Sequence, residues 1–322
     1  MKSRKPAIML LGLRESQVST ISSKFPRADF YSPDNSAALD YADKVDAIVG
    51  LYSRQPFREV FTEDFMSKCS NVKWINVPGA GLEDILTPQL INHSSVLTNG
   101  KILQGPEVAD HALALLLTLT RNLQLVISGK NDVMRPRPLE LMDKVAVVVG
   151  TGGIGHLIAE RAFSFGMRVF AVNADNLPYV RSIEKLYMPS EIKNVLPKAD
   201  VLFIAAPLTD KTKNVIGSEE MSLMKSDSII INVSRGGLID TEALTEHLSN
   251  GKFHSVGLDV TDPEPLPINH QLLKFRNVVV TPHLAGMSDK NHDRVFENLL
   301  VNIKNFISGN YLINIVDKIK GY

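Results

Sequence analysis

The sequence has one cysteine, one tryptophan and no net charge. Cys69 alone cannot close an intrachain disulfide or supply a thiolate metal cluster, which fits a reducing compartment, and the chain is read as cytoplasmic. Lys plus Arg number 35 and Asp plus Glu number 35. No global field is left to hold a polyanion or a membrane surface, so neither nucleic acid nor membrane is expected as a partner. The longest largely apolar stretch, 112–119, is far below the ~20 residues that cross a bilayer. Near the amino terminus Lys2, Arg4 and Lys5 precede an apolar run at 7–13. No small-x-small cleavage site follows, and Arg14 and Glu15 restore charge, so this run reads as a buried strand rather than a leader. HExxH, paired CxxC and GxSxG strings are all absent, so zinc hydrolase and serine esterase chemistry have no support and no metal site is expected.

What is present is apolar material for packed cores: 44% of the 322 residues are hydrophobic and 22% charged, a length that accommodates about two domains. β-branched and aliphatic segments alternate with helical ones, the pattern of parallel sheets wrapped by helices. Early strands are predicted at 7–13, 46–52, 73–77 and 96–98, with helices near 17–25 and 62–69. A long helix is predicted over 106–127, opened by Pro106 and closed by Gly129, and placed to join two domains. The polar stretch after it holds two prolines and reads as an exposed arm. Six further strands follow at 144–150, 168–173, 201–206, 228–233, 256–260 and 278–281, enough for a doubly wound domain. Between them a helix at 241–250 has Asp240 as its N-cap and Gly251 at its end. An amphipathic helix at 291–307 closes the series and returns to the first domain.

The string VAVVVGTGGIG sets Gly150, Gly152 and Gly155 in a G-x-G-x-x-G loop directly after a strand and at the opening of a helix. The first glycine permits the tight turn and the second lets backbone approach a pyrophosphate. The third allows close packing, and the helix N-terminus, with Gly153 and Ile154 in its first turn, offers N–H groups to the anion. No Lys-Ser/Thr follows, which excludes a phosphate P-loop. Asn173 stands eighteen positions after Gly155, where a carboxylate usually meets the adenine ribose. Asparagine still hydrogen-bonds but does not repel a 2′-phosphate. Asp175 lies two residues on, and no base appears before Arg181, so the choice between NAD(H) and NADP(H) stays open.

Three later strands end in the side chains that a keto-acid reduction needs. Arg235 follows SIIINVS, Glu264 comes shortly after VGLDV, and His283 follows VVVTP. Ligands of parallel sheets sit at such carboxyl ends. A guanidinium fork suits a carboxylate, and a histidine can deliver a proton to the carbonyl oxygen at neutral pH. A neighbouring glutamate would orient the ring. His111, His247, His254 and His292 fall in helical or polar segments and are read as structural or surface residues.

At these residues the chain resembles the D-isomer-specific 2-hydroxyacid dehydrogenases. The resemblance rests on VVVGTGGIG, PLTDKT at 207–212, INVSRGGLIDTEAL at 231–244, GLDVTDPEPLP at 257–267 and NVVVTPHLAG at 277–286. It implies two doubly wound parallel-sheet α/β domains. One is a flavodoxin-like substrate domain over 1–102 with 288–322 returning to it, and the other is a Rossmann dinucleotide-binding domain over 103–287. It implies Arg235, Glu264 and His283 as the catalytic trio and an NAD(H) or NADP(H) cofactor. Cofactor contacts are implied at Gly150, Gly152, Gly153, Ile154, Gly155, Asn173, Asp175, Pro207, Thr212, Val233, Ser234, Arg235, Asp259, His283 and Gly286. The backbone of Ala80 and Gly81 would hold the substrate carboxylate beside Arg235 and His283. Tyr52, Ser53 and Arg54 would meet the rest of a small keto acid such as glyoxylate or hydroxypyruvate. Glu264 argues against formate, whose dehydrogenases carry glutamine there. The closing VDKIKGY is similar to the tail of the glyoxylate/hydroxypyruvate reductase branch, and a homodimer is expected, although the arm lacks the tryptophan of many relatives. The competing expectation is a dinucleotide-sensing corepressor of the same fold.

Overall fold

A computed structural model describes residues 4–51, 55–130, 134, 136–176 and 180–322. The chain divides into two compact units, one comprising Met1–Leu103 with Ser288–Tyr322 and the other Gln104–Met287.

The first unit is built on a parallel sheet of β1 (Ala7–Leu11), β2 (Asp29–Tyr31), β3 (Ala47–Gly50), β4 (Trp74–Asn76) and β5 (Val96–Thr98). Their order is β2-β1-β3-β4-β5, the flavodoxin-like winding. All five residues of β1 are buried because helices cover both faces of the sheet. Ile8 and Leu10 face the core shared with Trp74, Leu299 and Ile303, the last two carried by the closing helix Asn291–Ser308. Met9 and Leu11 face the opposite core with Phe57, Phe65 and Ile75. The strand predicted over 7–13 stops at Gly12, whose φ of +68° turns the chain out of the sheet. β2 was not expected: its three residues show no apolar run and pair only at the sheet edge, Ile8 against Phe30.

The second unit holds β6 (Val145–Val149), β7 (Arg168–Val172), β8 (Lys185–Tyr187), β9 (Val201–Ile204), β10 (Ile229–Asn232), β11 (Ser255–Leu258) and β12 (Val278–Val280). Their order, β12-β11-β10-β9-β6-β7-β8, is a Rossmann winding with one strand more than the six predicted. The addition is β8, a three-residue edge strand with no apolar run of its own. One face packs beneath the helices Gly105–Thr120 and Gly153–Ser164, which bring Leu115, Leu116, Ile158 and Ala162 onto Val148, Phe203 and Ile231. The single helix predicted over 106–127 is broken. Asn122 takes a left-handed φ of +55° and its Nδ2 donates to the Pro136 carbonyl at 2.6 Å, after which Leu123–Ile127 forms a separate short helix. Asparagine tolerates that conformation, while the apolar period runs on across the break and hides it. Asp240 caps Thr241–Ser249 by accepting from the Ala243 N–H at 3.0 Å. No described helix is long and apolar enough to cross a membrane.

Candidate functional site

In the second unit, β6 runs into the glycine loop. Gly150 has φ of +85°, and a Cβ there would lie 2.5 Å from the Ala206 backbone. A Cβ on Gly155 would stand 1.8 Å from the Gly150 carbonyl oxygen, whereas one on Gly152 meets nothing within 4 Å. Two of the glycines therefore close the turn, and the third leaves its backbone open to a ligand. The helix Gly153–Ser164 begins at Gly152 with no side-chain cap, so its first N–H groups await an acceptor. Thr151 is buried, and its Oγ1 has no hydrogen-bond partner among the described residues. An open backbone, an uncapped helix start and an orphaned hydroxyl fit the pyrophosphate of a dinucleotide.

Asn173, just past β7, is engaged on both sides of its amide. Its Oδ1 accepts the Thr151 N–H at 3.1 Å and its Nδ2 donates to the Asp175 carbonyl at 2.9 Å. The amide thus ties the glycine loop to the turn that carries the exposed Asp175. The ends of β9 and β10 are knitted as well. Ser234 Oγ donates to the Ala206 carbonyl, and the Val233 N–H reaches the Ile204 carbonyl at 3.4 Å. Thr212 Oγ1 donates to the Pro207 carbonyl at 2.7 Å. Gln104 Nε2 donates to the Gly286 carbonyl at 3.3 Å.

Arg235, Glu264 and His283 follow β10, β11 and β12, three adjacent strands. The Arg235 turn is held by Asn232 Nδ2, which donates to the Arg235 carbonyl at 2.8 Å. Gly236 behind it lies so close to the Thr261 and Asp262 backbone that a Cβ would come within 2.0 Å. The arginine turn is therefore pressed onto the loop that leads to Glu264. His283 and Glu264 form an ion pair, Nδ1 to Oε1 at 2.6 Å, with side chains about half exposed at 46% and 41%. A carboxylate only accepts, so Nδ1 carries a proton, and Nε2 has no partner among the described residues.

His283 has a left-handed φ of +51°. Its N–H donates to the Asp259 carbonyl at 2.9 Å. The Asp259 side chain is 1% exposed, and burial pushes its carboxyl up. Hydrogen bonds from His111, Thr281 and the N–H groups of Ala285 and Leu284 outweigh burial and hold it at about 2. Asp259 was expected as a cofactor contact; both of its carboxylate oxygens are engaged by its own chain. His111, read from the sequence as structural or surface, lies with it, its Nε2 2.9 Å from Thr281 Oγ1 and 3.4 Å from Asp259 Oδ1. The available signal was helical spacing: His111, Leu115 and Leu119 share one stripe, and Leu115 and Leu119 pack on Gly257 of β11.

In the first unit, Gly79 has φ of +78° and its carbonyl accepts from the Gly100 N–H at 2.7 Å. Asn99 Nδ2 donates to the Ala80 carbonyl at 2.7 Å. Among the described residues the N–H groups of Ala80 and Gly81 donate to no protein acceptor, which leaves two adjacent backbone donors for an anion. Tyr52, Ser53 and Arg54 lie outside the described residues. No group of three or more His, Cys, Asp or Glu side chains among the described residues is arranged to hold a metal ion.

The model of the NAD-binding domain of the D-isomer specific 2-hydroxyacid dehydrogenases matches residues 111–285, more than half of the chain, so the protein belongs to that family of oxidoreductases. A glyoxylate reductase of Thermococcus litoralis is 30% identical over 89% of this chain and 88% of its own. Among solved structures, a glyoxylate reductase from Paecilomyes thermophila superposes with a TM-score of 0.81 at 24% identity, covering 98% of this chain and 99% of its own. A D-isomer specific 2-hydroxyacid dehydrogenase from Xanthobacter autotrophicus, in complex with NADPH and MES, gives 0.80 at 20% identity over 99% and 100%. At these identities the two structures attest the fold.

Proposed function

We propose that the protein reduces a small 2-keto acid, glyoxylate or hydroxypyruvate, to the corresponding 2-hydroxy acid. The observation that carries this reading is the His283–Glu264 pair at 2.6 Å, with Arg235 on the neighbouring strand end. The first unit serves as the substrate domain and the second as the dinucleotide domain. Gly150, Gly152, Gly153, Ile154 and Gly155 hold the pyrophosphate. Asn173 and Asp175 lie toward the adenosine, and Pro207, Thr212, Val233, Ser234 and Gly286 line the remainder. The bound nicotinamide dinucleotide supplies the hydride for the keto carbon.

The protein's own residues do the rest. Arg235 binds the substrate carboxylate through its planar fork and polarises the carbonyl, and the N–H groups of Ala80 and Gly81 are donors suited to a carboxylate. His283 gives its Nε2 proton to the carbonyl oxygen as charge develops there, a role that in general contributes ~100- to 10,000-fold in rate. Glu264 holds the ring by Nδ1 so that Nε2 is the proton carrier, and stabilises the charged imidazole before transfer. Asp259 shapes the turn on which His283 stands. The working form is a cytoplasmic homodimer, for which the exposed Val126, Ile127 and Met142 offer apolar surface.

The test is a panel of 2-keto acids assayed with NADH and with NADPH. Turnover of glyoxylate or hydroxypyruvate is expected with at least one cofactor. Tight dinucleotide binding with no turnover of any keto acid would contradict the reading and favour the dinucleotide-sensing alternative.

A further inference from the structure

Behind the candidate catalytic turn lies a buried polar chain that the proposed mechanism does not use. Thr281 Oγ1 stands 2.6 Å from Asp259 Oδ1. An ionised carboxylate only accepts, so the single hydroxyl proton of Thr281 goes to Asp259. The same oxygen is 2.9 Å from His111 Nε2 and, its proton being committed, can only accept there. His111 therefore donates, and its ring carries the proton on Nε2. Asp259 in turn takes the Leu284 N–H on Oδ1 and the Ala285 N–H on Oδ2, both at 3.0 Å. Its main-chain carbonyl takes the His283 N–H at 2.9 Å. Thr281, His283, Leu284 and Ala285 are thus all hydrogen-bonded to one carboxylate residue. Among them His283 has φ +51°, a conformation that an L side chain keeps only where its surroundings over-determine it.

We propose that His111, acting through Thr281 and Asp259, is a positioning residue for His283: its Nε2–H donor fixes the turn that aims the proton-carrying ring. The proposal rests on the reading of His283 as the proton donor. His111 suits the task because its helix is immobilised. Leu115 and Leu119, on the same stripe, lie 3.2 Å from where a Gly257 Cβ would be, so the imidazole approaches the ends of β11 and β12 at a set height. A donor at a set height reads out in rate rather than in cofactor affinity, since small misplacements of a reacting group are costly.

Two variants separate this role from mere packing. His111→Leu keeps bulk and removes the donor, whereas His111→Gln keeps an N–H donor at the Nε2 level. The kcat and KM for the keto acid are measured on both. Dinucleotide Kd comes from fluorescence titration, and ¹⁵N-histidine spectra are recorded on the full chain without substrate. His111→Leu should lower kcat about tenfold with dinucleotide Kd within about twofold of the wild type, and His111→Gln should recover most of the loss. The wild-type spectrum should show His111 as the Nε2–H tautomer, and the His283 ring resonances should be displaced in His111→Leu but not in His111→Gln. Equal losses in the two variants, an unchanged kcat in His111→Leu, or an Nδ1–H tautomer would each overturn the proposal. The tautomer and the displacement need no turnover. They stand or fall even if the keto-acid reading fails, and the wild-type spectrum decides if His111→Leu does not fold.

Discussion

The two units solve the same packing problem and present their chemistry in opposite ways. Each is a parallel sheet of buried aliphatic strands covered on both faces. In the second unit, beside the open backbone of the glycine loop after β6, the groups at the strand ends are side chains: Arg235, Glu264, His283, Asp259 and the amide of Asn173. In the first unit they are backbone groups: the Ala80 and Gly81 N–H donors, held because Gly100 approaches Gly79 closely and Asn99 ties down the Ala80 carbonyl. A polar chain supports that loop, with Trp74 Nε1 donating to Thr98 Oγ1 at 2.9 Å, Thr98 to Asn76 Oδ1 at 2.8 Å, and Asn76 Nδ2 to the Gly50 carbonyl at 3.0 Å. Acid–base and charge chemistry needs particular side chains, whereas holding a carboxylate needs only N–H groups in the right place, and many residue types can supply those.

If this division is right, variants of the second unit's side chains should lower catalysis, that of Arg235 together with keto-acid affinity, and variants in the first unit should act on keto-acid affinity alone. The largest effect belongs to His283→Ala, which should lower kcat by ~100- to 10,000-fold with dinucleotide Kd unchanged; steady-state kinetics beside a fluorescence titration checks it, and a near-normal kcat breaks the comparison. Arg235→Lys comes next. A point charge replaces the fork, and kcat/KM for the keto acid should fall ~10- to 100-fold, visible in initial rates at low substrate.

Asp259 supplies a stability test. Its carboxyl is held at about 2 against an ordinary 3.8, so the folded state favours the ionised form. That contribution is present above pH 3.8 and is lost as pH falls through about 2. It amounts to about 2 kcal/mol. Asp259→Asn should therefore be less stable than wild type at neutral pH, and the gap in denaturant midpoint should narrow from pH 4 downward. The smallest effect is expected in the first unit. Asn99→Ala removes two hydrogen bonds, one to the Ala80 carbonyl and one from the Lys101 N–H; the one that ties the Ala80 loop is worth ~1 kcal/mol, so KM for the keto acid should rise about fivefold with kcat and dinucleotide Kd little changed. A fall in kcat instead would mean that this loop shapes the reaction itself.

The same division explains what could be read from the chain. The glycine loop was legible because a tight turn admits only glycine at Gly150 and Gly155, and Arg235 and His283 were legible because each follows a run of β-branched residues, with Glu264 in the loop after VGLDV. β2 and β8 were not: three-residue edge strands need no apolar run, since one side of each has no neighbouring strand. The break at Asn122 was masked because Leu123 and Val126 continue the apolar period. His111 was read only as structural or surface, and its place beside Asp259 shows once its stripe with Leu115 and Leu119 is traced to β11. The Ala80–Gly81 donors carry no side-chain signature, and only the resemblance to known dehydrogenases marked them.

The most direct measurement is the configuration of the product. Hydroxypyruvate has a prochiral keto carbon, so its reduction would record which face of that carbon the hydride reaches. Chiral chromatography of the glycerate formed with NADH or NADPH should return the D isomer alone, as membership of a D-isomer specific family requires of this site. L-glycerate, a racemic mixture, or a protein that binds the dinucleotide but turns over neither hydroxypyruvate nor glyoxylate would contradict the assignment of keto-acid reduction to Arg235, Glu264 and His283.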